Sequence, residues 1–119
     1  MQAYKIMHGL WGMGQMMFTK YMIVVDDDVN VRNTSEVLFR ICANTDPQRD
    51  TIFTRGPADV LDHATSAMGI GTKMGIDATR KLKGEDFDRE WPPLIRMDEA
   101  TKRKVDQLLK SFNEAAAKS

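Results

Sequence analysis

The 119 residues suffice for one domain but not for two independent cores. Apolar content of 42% and charged content of 29% are ordinary for a globular chain. Lys plus Arg number 17 and Asp plus Glu number 17, so the net charge of zero offers no global footprint for nucleic acid or an anionic membrane.

Residues 3 to 17 read as a helix with a Met-rich surface (Met7, Met13, Met16, Met17, with Leu10 and Trp11). Gly9, Gly12 and Gly14 weaken its second half. The segment Met1 to Phe18 is apolar but carries Lys5, His8 and Gln15. It lacks a charged leader followed by a small-residue cleavage site, so no signal peptide is expected. No stretch approaches the length of a membrane span, and the expected location is cytoplasmic.

Tyr21 to Val25 is a short apolar run, rich in β-branched residues, that stops abruptly at Asp26-Asp27-Asp28; a buried strand is predicted. Asn33, with Glu36 three residues on, carries the signature of a capping box and opens an amphipathic helix over 34–45, closed by Asp46-Pro47. The single Cys42 lies within that apolar pattern and reads as a buried, inert thiol. Thr51 to Thr54 is a second strand candidate. Residues 57–75 alternate apolar pieces with turn formers, and Gly69, Gly71 and Gly75 mark a loop. Met74 to Ala78 fits a short edge strand, and the polar residues 80–93 a surface connection. Asp98 caps a last helix to about Ala116, with Val105, Leu108, Leu109, Phe112 and Ala116 on one stripe. Strands alternating with helices predict an α/β layered domain over residues 1–119: a small sheet flanked by helices, and a long C-terminal helix.

Chemistry is sparse in this pattern. Asp26, Asp28 and Asn30 fit the first ligand positions of an EF-hand. Val31 then stands where glycine is required and Val37 where a bidentate glutamate is required, so no metal site is assigned. Residues 69–75 (G-I-G-T-K-M-G) match neither phosphate-loop pattern, although Lys73 could face an anion. His8 and His63 lack partners at metal spacing. Asp59 and Asp62 could orient His63, but no serine or cysteine completes a triad. No catalytic residue is assigned.

An ordered series of segments resembles the C-terminal part of the UbiD family of decarboxylases. It comprises H-G-L-W-G-M-G-Q-M-M-F-T-K (8–20), Y-M-I-V-V-D-D-D-V-N-V-R (21–32) and E-V-L-F-R (36–40). It continues through D-P-Q-R-D (46–50), G-P-A-D-V-L-D-H-A (56–64), G-T-K-M-G-I-D-A-T-R-K (71–81) and R-E-W-P-P (89–93). The H-G-L-W-G form is most similar to the branch associated with quinone biosynthesis. The resemblance implies an enzyme that uses prenylated FMN to remove carboxylate from aromatic or α,β-unsaturated acids. The family's catalytic arginine, acidic residues and metal ligands belong to a larger preceding region. This chain would therefore be inactive alone and would bind no cofactor by itself. The partners implied are that flavin-binding region or large subunit, and further copies in a homo-oligomer. The lysine ending F-T-K, Lys20, resembles a family lysine that reaches the cofactor, where it could pair a flavin phosphate as a point charge. Leu61 in V-L-D-H would help line an apolar substrate pocket. The family pattern extends further on the N-terminal side, with glycine before Q-A, so the chain is expected to begin inside a motif. Two other readings are a free-standing interaction module or small subunit, and a small anion or nucleotide binder using residues 69–75.

Overall fold

The computed structural model describes residues 2–118. Helix α1 (Gln2–Trp11) leads through a short 3-10 turn (Gly14–Phe18) into strand β1 (Tyr21–Val24). Helix α2 (Thr34–Asn44) and the single turn α3 (Pro47–Asp50) precede strands β2 (Thr51–Pro57) and β3 (Ile70–Asp77). Helix α4 (Glu99–Ala117) ends the chain. The sheet has three strands in the order β1-β3-β2, with β1 parallel and β2 antiparallel to the central β3. The mixed α/β class predicted from the sequence is the one observed.

α1 buries Ala3, Met7 and Trp11, a stripe at i, i+4 and i+8, onto the sheet face that carries Met22, Gly75 and Ile52. Close approach of the helix explains Gly75: a methyl group there would collide with Met7 Sδ and lie 3.1 Å from Trp11 Cη2. Trp11 also donates its indole N–H to the Thr19 carbonyl at 3.0 Å, which ties the 3-10 turn back to the helix.

Several expectations are corrected. The helix stops at Trp11 rather than at residue 17, because Gly12 ends it and Gly14 takes a positive φ of 43°. The glycine-rich stretch is no loop. Residues 70–75 lie in β3, the central strand and not an edge one, with glycines where helix and loop side chains press in. An anion-binding loop at 69–75 therefore does not form, and Lys73 is buried, donating to the Pro57 carbonyl at 2.6 Å. β1 is buried on one face only, with Tyr21 and Ile23 exposed.

α2 keeps its predicted cap, Asn33 accepting from the Glu36 amide at 3.2 Å, but turns the other way. Its buried residues are Arg40 and Asn44, while Leu38, Phe39 and Cys42 are exposed. Cys42 is thus not a buried thiol. Asn44 fixes this orientation by donating to the Ala78 carbonyl at 2.9 Å. α4 is capped by Asp98, which accepts from the Thr101 amide at 2.7 Å, yet its stripe faces solvent, Phe112 being 76% exposed.

The outcome is a fold with more surface than its mass warrants. Its accessible area is 9600 Å2, whereas a folded monomer of 13.5 kDa exposes roughly 6500 Å2. The radius of gyration is 20.4 Å against about 13.5 Å for a self-contained domain of this length. Large apolar side chains are exposed: Tyr21, Ile23 and Phe53 on the uncovered sheet face, Leu38 and Phe39 on α2, and the α4 stripe.

Candidate functional site

Lys20 lies immediately before β1, and its carbonyl accepts from the Met74 amide at 2.9 Å, continuing the parallel ladder by one residue. Its ammonium reaches the 58–69 connection between β2 and β3 and pairs with Asp62 Oδ2 at 2.5 Å. The other oxygen, Oδ1, accepts from the Ala64 amide at 3.1 Å. The Lys20 hydrogen bond first, then the Ala64 amide, hold the Asp62 carboxyl below the usual carboxylate range. Asp59 makes the matching turn three residues earlier, accepting from the Leu61 amide at 2.8 Å, and Leu61 is left 85% exposed. The two residues singled out from the sequence, Lys20 and Leu61, are thus joined through Asp62. His63 is exposed, and His8 stacks edgewise on Trp11 at 6.1 Å.

A second constellation occupies the opposite end of the sheet. The C-terminal ends of β1 and β3, α2 and the segment after Lys81 bound a cleft of about 1310 Å3, with Trp91 and Phe87 on one wall. Beneath it Asp50, 2% exposed, accepts from Arg49 Nε at 2.9 Å and Arg49 Nη2 at 2.7 Å, and from the Asp46 amide at 2.7 Å. Lys81 Nζ lies 3.6 Å from Asp50 and 3.4 Å from Asp77, and donates to the carbonyls of Asp77 and Thr79. Burial pushes the Asp50 carboxyl up, but the Arg49 hydrogen bonds, the Asp46 amide and the Lys81 charge outweigh it and hold the group low. Tyr4 on α1 donates to the Arg49 carbonyl at 2.5 Å, linking the network to the core helix.

Two residues of the acidic run after β1 form ion pairs. Asp26 meets Arg80 at 3.2 Å and Asp28 meets the buried Arg40 at 3.3 Å, which leaves Arg40 Nε without a hydrogen-bond partner among the described residues. Sequence reasoning missed this network, although the segments D-P-Q-R-D and G-I-D-A-T-R-K that carry the family resemblance contain most of it. Asp50, Asp77, Thr79 and Lys81 are bound to one another and to backbone, so the arrangement clips the ends of α3 and β3 together.

What the geometry can do chemically is narrow. An anionic phosphate asks for cationic donors at an accessible point. Lys20 meets that test, with a side chain 36% exposed and an ammonium that has three donors and one carboxylate partner. It could hold the phosphate end of a flavin mononucleotide. The rest of such a cofactor would need contacts from elsewhere.

The comparisons agree with this picture of a part. Two curated relatives, uncharacterized proteins of Archaeoglobus fulgidus and Aquifex aeolicus, are 45% identical over 108 residues and 46% identical over 106. They match 90% and 89% of this chain, which spans only 22% of each relative's length. The vanillic acid decarboxylase of Sedimentibacter hydroxybenzoicus, in its closed form, superposes with a TM-score of 0.77 at 31% identity. That match covers 92% of this chain and 24% of the other. The UbiD-class enzyme HmfF from Pelotomaculum thermopropionicum, in complex with FMN, superposes with a TM-score of 0.60 at 27% identity, over 77% of this chain and 21% of that one. Residues 1–78 match the model of the 3-octaprenyl-4-hydroxybenzoate carboxy-lyase C-terminal domain, and the chain belongs to that UbiD C-terminal domain family.

Proposed function

We propose that this chain, residues 1–119 acting as one unit, is the C-terminal structural and oligomerisation part of a prenylated-FMN-dependent decarboxylase. The reading extends to aromatic or α,β-unsaturated carboxylic acids as substrates and, on the H-G-L-W-G form, to the quinone-biosynthesis branch, in the cytoplasm. The observation that carries it is the surplus surface, about 3000 Å2 above what a monomer of this mass exposes, together with exposed apolar side chains on an uncovered sheet face, the outer side of α2 and the α4 stripe. A stable protein interface buries about 1200–2000 Å2 in total, so the surplus suffices for a larger region of the enzyme and for a second copy. The 22% share of each curated relative is consistent with a missing larger region.

Prenylated FMN would supply the covalent chemistry of decarboxylation. This chain's share is placement: Lys20 offers its ammonium to the cofactor phosphate, and Leu61 offers an exposed apolar side chain toward substrate. No residue of the chain is assigned to acid–base work, so the chain alone is inactive.

The test is reconstitution. The chain is co-expressed with the remainder of the Archaeoglobus fulgidus relative and supplied with prenylated FMN; flavin absorbance of the purified complex and carbon dioxide release are then measured. Flavin and activity present in the mixture and absent from either part support the reading. Lys20→Ala should then lower flavin retention without dissolving the complex, and unchanged retention removes Lys20 from the cofactor site. A second reading, a non-catalytic interaction module or small subunit, is favoured by the same exposed stripes. It wins if the chain forms a stable oligomer that neither binds nor activates the remainder.

A further inference from the structure

The pair that holds Lys20 is also the pair that holds the connection bearing Leu61. Asp62 uses one oxygen for the Lys20 ammonium and the other for the Ala64 amide. Asp59 and Asp62 between them accept from the Leu61 and Ala64 amides, so the peptide around Leu61 is shaped by two carboxylates. Of those two, Asp62 is the one that pairs with Lys20. The site is partly solvated, with side-chain exposures of 36% for Lys20 and 15% for Asp62. Such a pair contributes little to stability and can be exchanged for another anion.

We propose that Asp62 is a placeholder carboxylate, and that an incoming phosphate displaces it from Lys20 and thereby changes the order of the Leu61 connection. This rests on the reading of Lys20 as the phosphate contact and adds a residue that acts through it. A carboxylate 2.5 Å from the ammonium stands where a phosphate oxygen would have to approach, and two anions cannot share that point without repulsion. Phosphate therefore competes with Asp62. Once displaced, Asp62 keeps only its Ala64 amide bond and no longer ties the connection to the start of β1. By linkage the effect is reciprocal: whatever holds the Leu61 connection against Asp62 and Lys20 weakens phosphate binding by the same factor. The neighbouring Lys73 cannot take over, because its ammonium is buried against the Pro57 carbonyl. Asp62 is thus a positioning residue that couples the anion contact to the apolar residue expected at the substrate.

The experiment uses the full chain, labelled with 15N-alanine and 15N-lysine, alone and in complex with the remainder of the relative. Inorganic phosphate and FMN are titrated separately. The expected result is that the Lys20 and Ala64 amide signals shift together with one apparent Kd, and that Asp62→Asn tightens that Kd about two- to fivefold, the range for an exposed ion pair. Asp62→Glu should restore an affinity near that of the parent chain. In Asp62→Asn the Ala64 signal should no longer follow the anion. If Lys20 responds while Ala64 does not, and Asp62→Asn leaves the Kd unchanged, the coupling is overturned and Lys20 remains the phosphate contact. If neither signal moves with either probe, in the chain or in the complex, both the coupling and the phosphate role of Lys20 are overturned.

Discussion

Replacing Asp50 by Asn should cost this fold a large part of its stability, in a manner that depends on pH. The side chain is 2% exposed and accepts two hydrogen bonds from Arg49 and one from the Asp46 amide, with Lys81 at 3.6 Å. Asparagine keeps the shape and one acceptor oxygen but removes the charge. Breaking a buried pair on one side costs about 3–5 kcal/mol. The low end applies, because Lys81 retains Asp77 at 3.4 Å and two backbone carbonyls. A loss of about 3 kcal/mol lowers Tm by roughly 10–15 °C in a domain of this size. Urea unfolding followed by the fluorescence of the buried Trp11 would measure it. The sign with pH follows from the Asp50 carboxyl, whose folded-state pKa lies below its unfolded value. Its contribution is complete above the unfolded value of about 3.9 and disappears as pH falls through the folded value. The gap between parent and variant should therefore be constant from pH 7 to about 5 and close below pH 4. Other carboxylates titrate in both proteins and cancel from the difference. A gap under about 1 kcal/mol at pH 7, or one that persists at pH 2, refutes the assignment of Asp50 as the charged centre of the clip.

Three further outcomes are expected. Gly75→Ala should destabilise by about 1–3 kcal/mol, since its methyl group meets Met7 Sδ and Trp11 in the buried core; thermal unfolding would measure it, and adding Met7→Ala should recover part of the loss. Lys73→Met should raise stability at pH 7 by of order 1 kcal/mol, because burial holds the Lys73 amine below its usual range and, among the described residues, one carbonyl accepts from it. That advantage should shrink in urea titrations as pH rises toward the ordinary lysine value, where the parent's amine is neutral in both states. Leu108→Glu with Phe112→Glu on α4 should leave helix content unchanged by circular dichroism, since both side chains are exposed; on the proposed association through α4, the variant should sediment as a smaller species than the parent, and equal sedimentation of the two removes α4 from that role.

Local grammar was readable wherever a residue's role is set by its neighbours in sequence. Asn33 and Asp98 cap the helices they precede, whereas the glycines after Trp11 end α1 where only a weakened helix was expected. Reading failed where the deciding contact comes from far along the chain. Gly71 and Gly75 resemble loop glycines until Thr65, Met7 and Trp11 are brought against them. The apolar side of α2 looked like a core stripe, but Arg40 and Asn44 turn inward to bond Asp28 and the Ala78 carbonyl. The apolar pattern was correctly seen, but Leu38 and Phe39 stay exposed in this chain's own fold. At the candidate site Lys20 and Leu61 were singled out by resemblance, whereas Asp62, which joins them, was weighed only as a neighbour of His63.

The strand order also dictates when each part of the molecule can form. β2 and β3 are neighbours along the chain and pair antiparallel, so their ladder closes across the 58–69 connection, far fewer residues than separate β1 from β3. β1 bonds only to β3, with Tyr21 opposite Met74, and must wait for a strand made much later. During synthesis α1 and β1 are made before β3, so Met7, Trp11 and Met22 stay uncovered until that strand arrives. Loop-closure entropy places the parallel pairing after the hairpin. The α1 segment is therefore open to misassembly in that interval, and Gly75, far downstream, is where it finds cover.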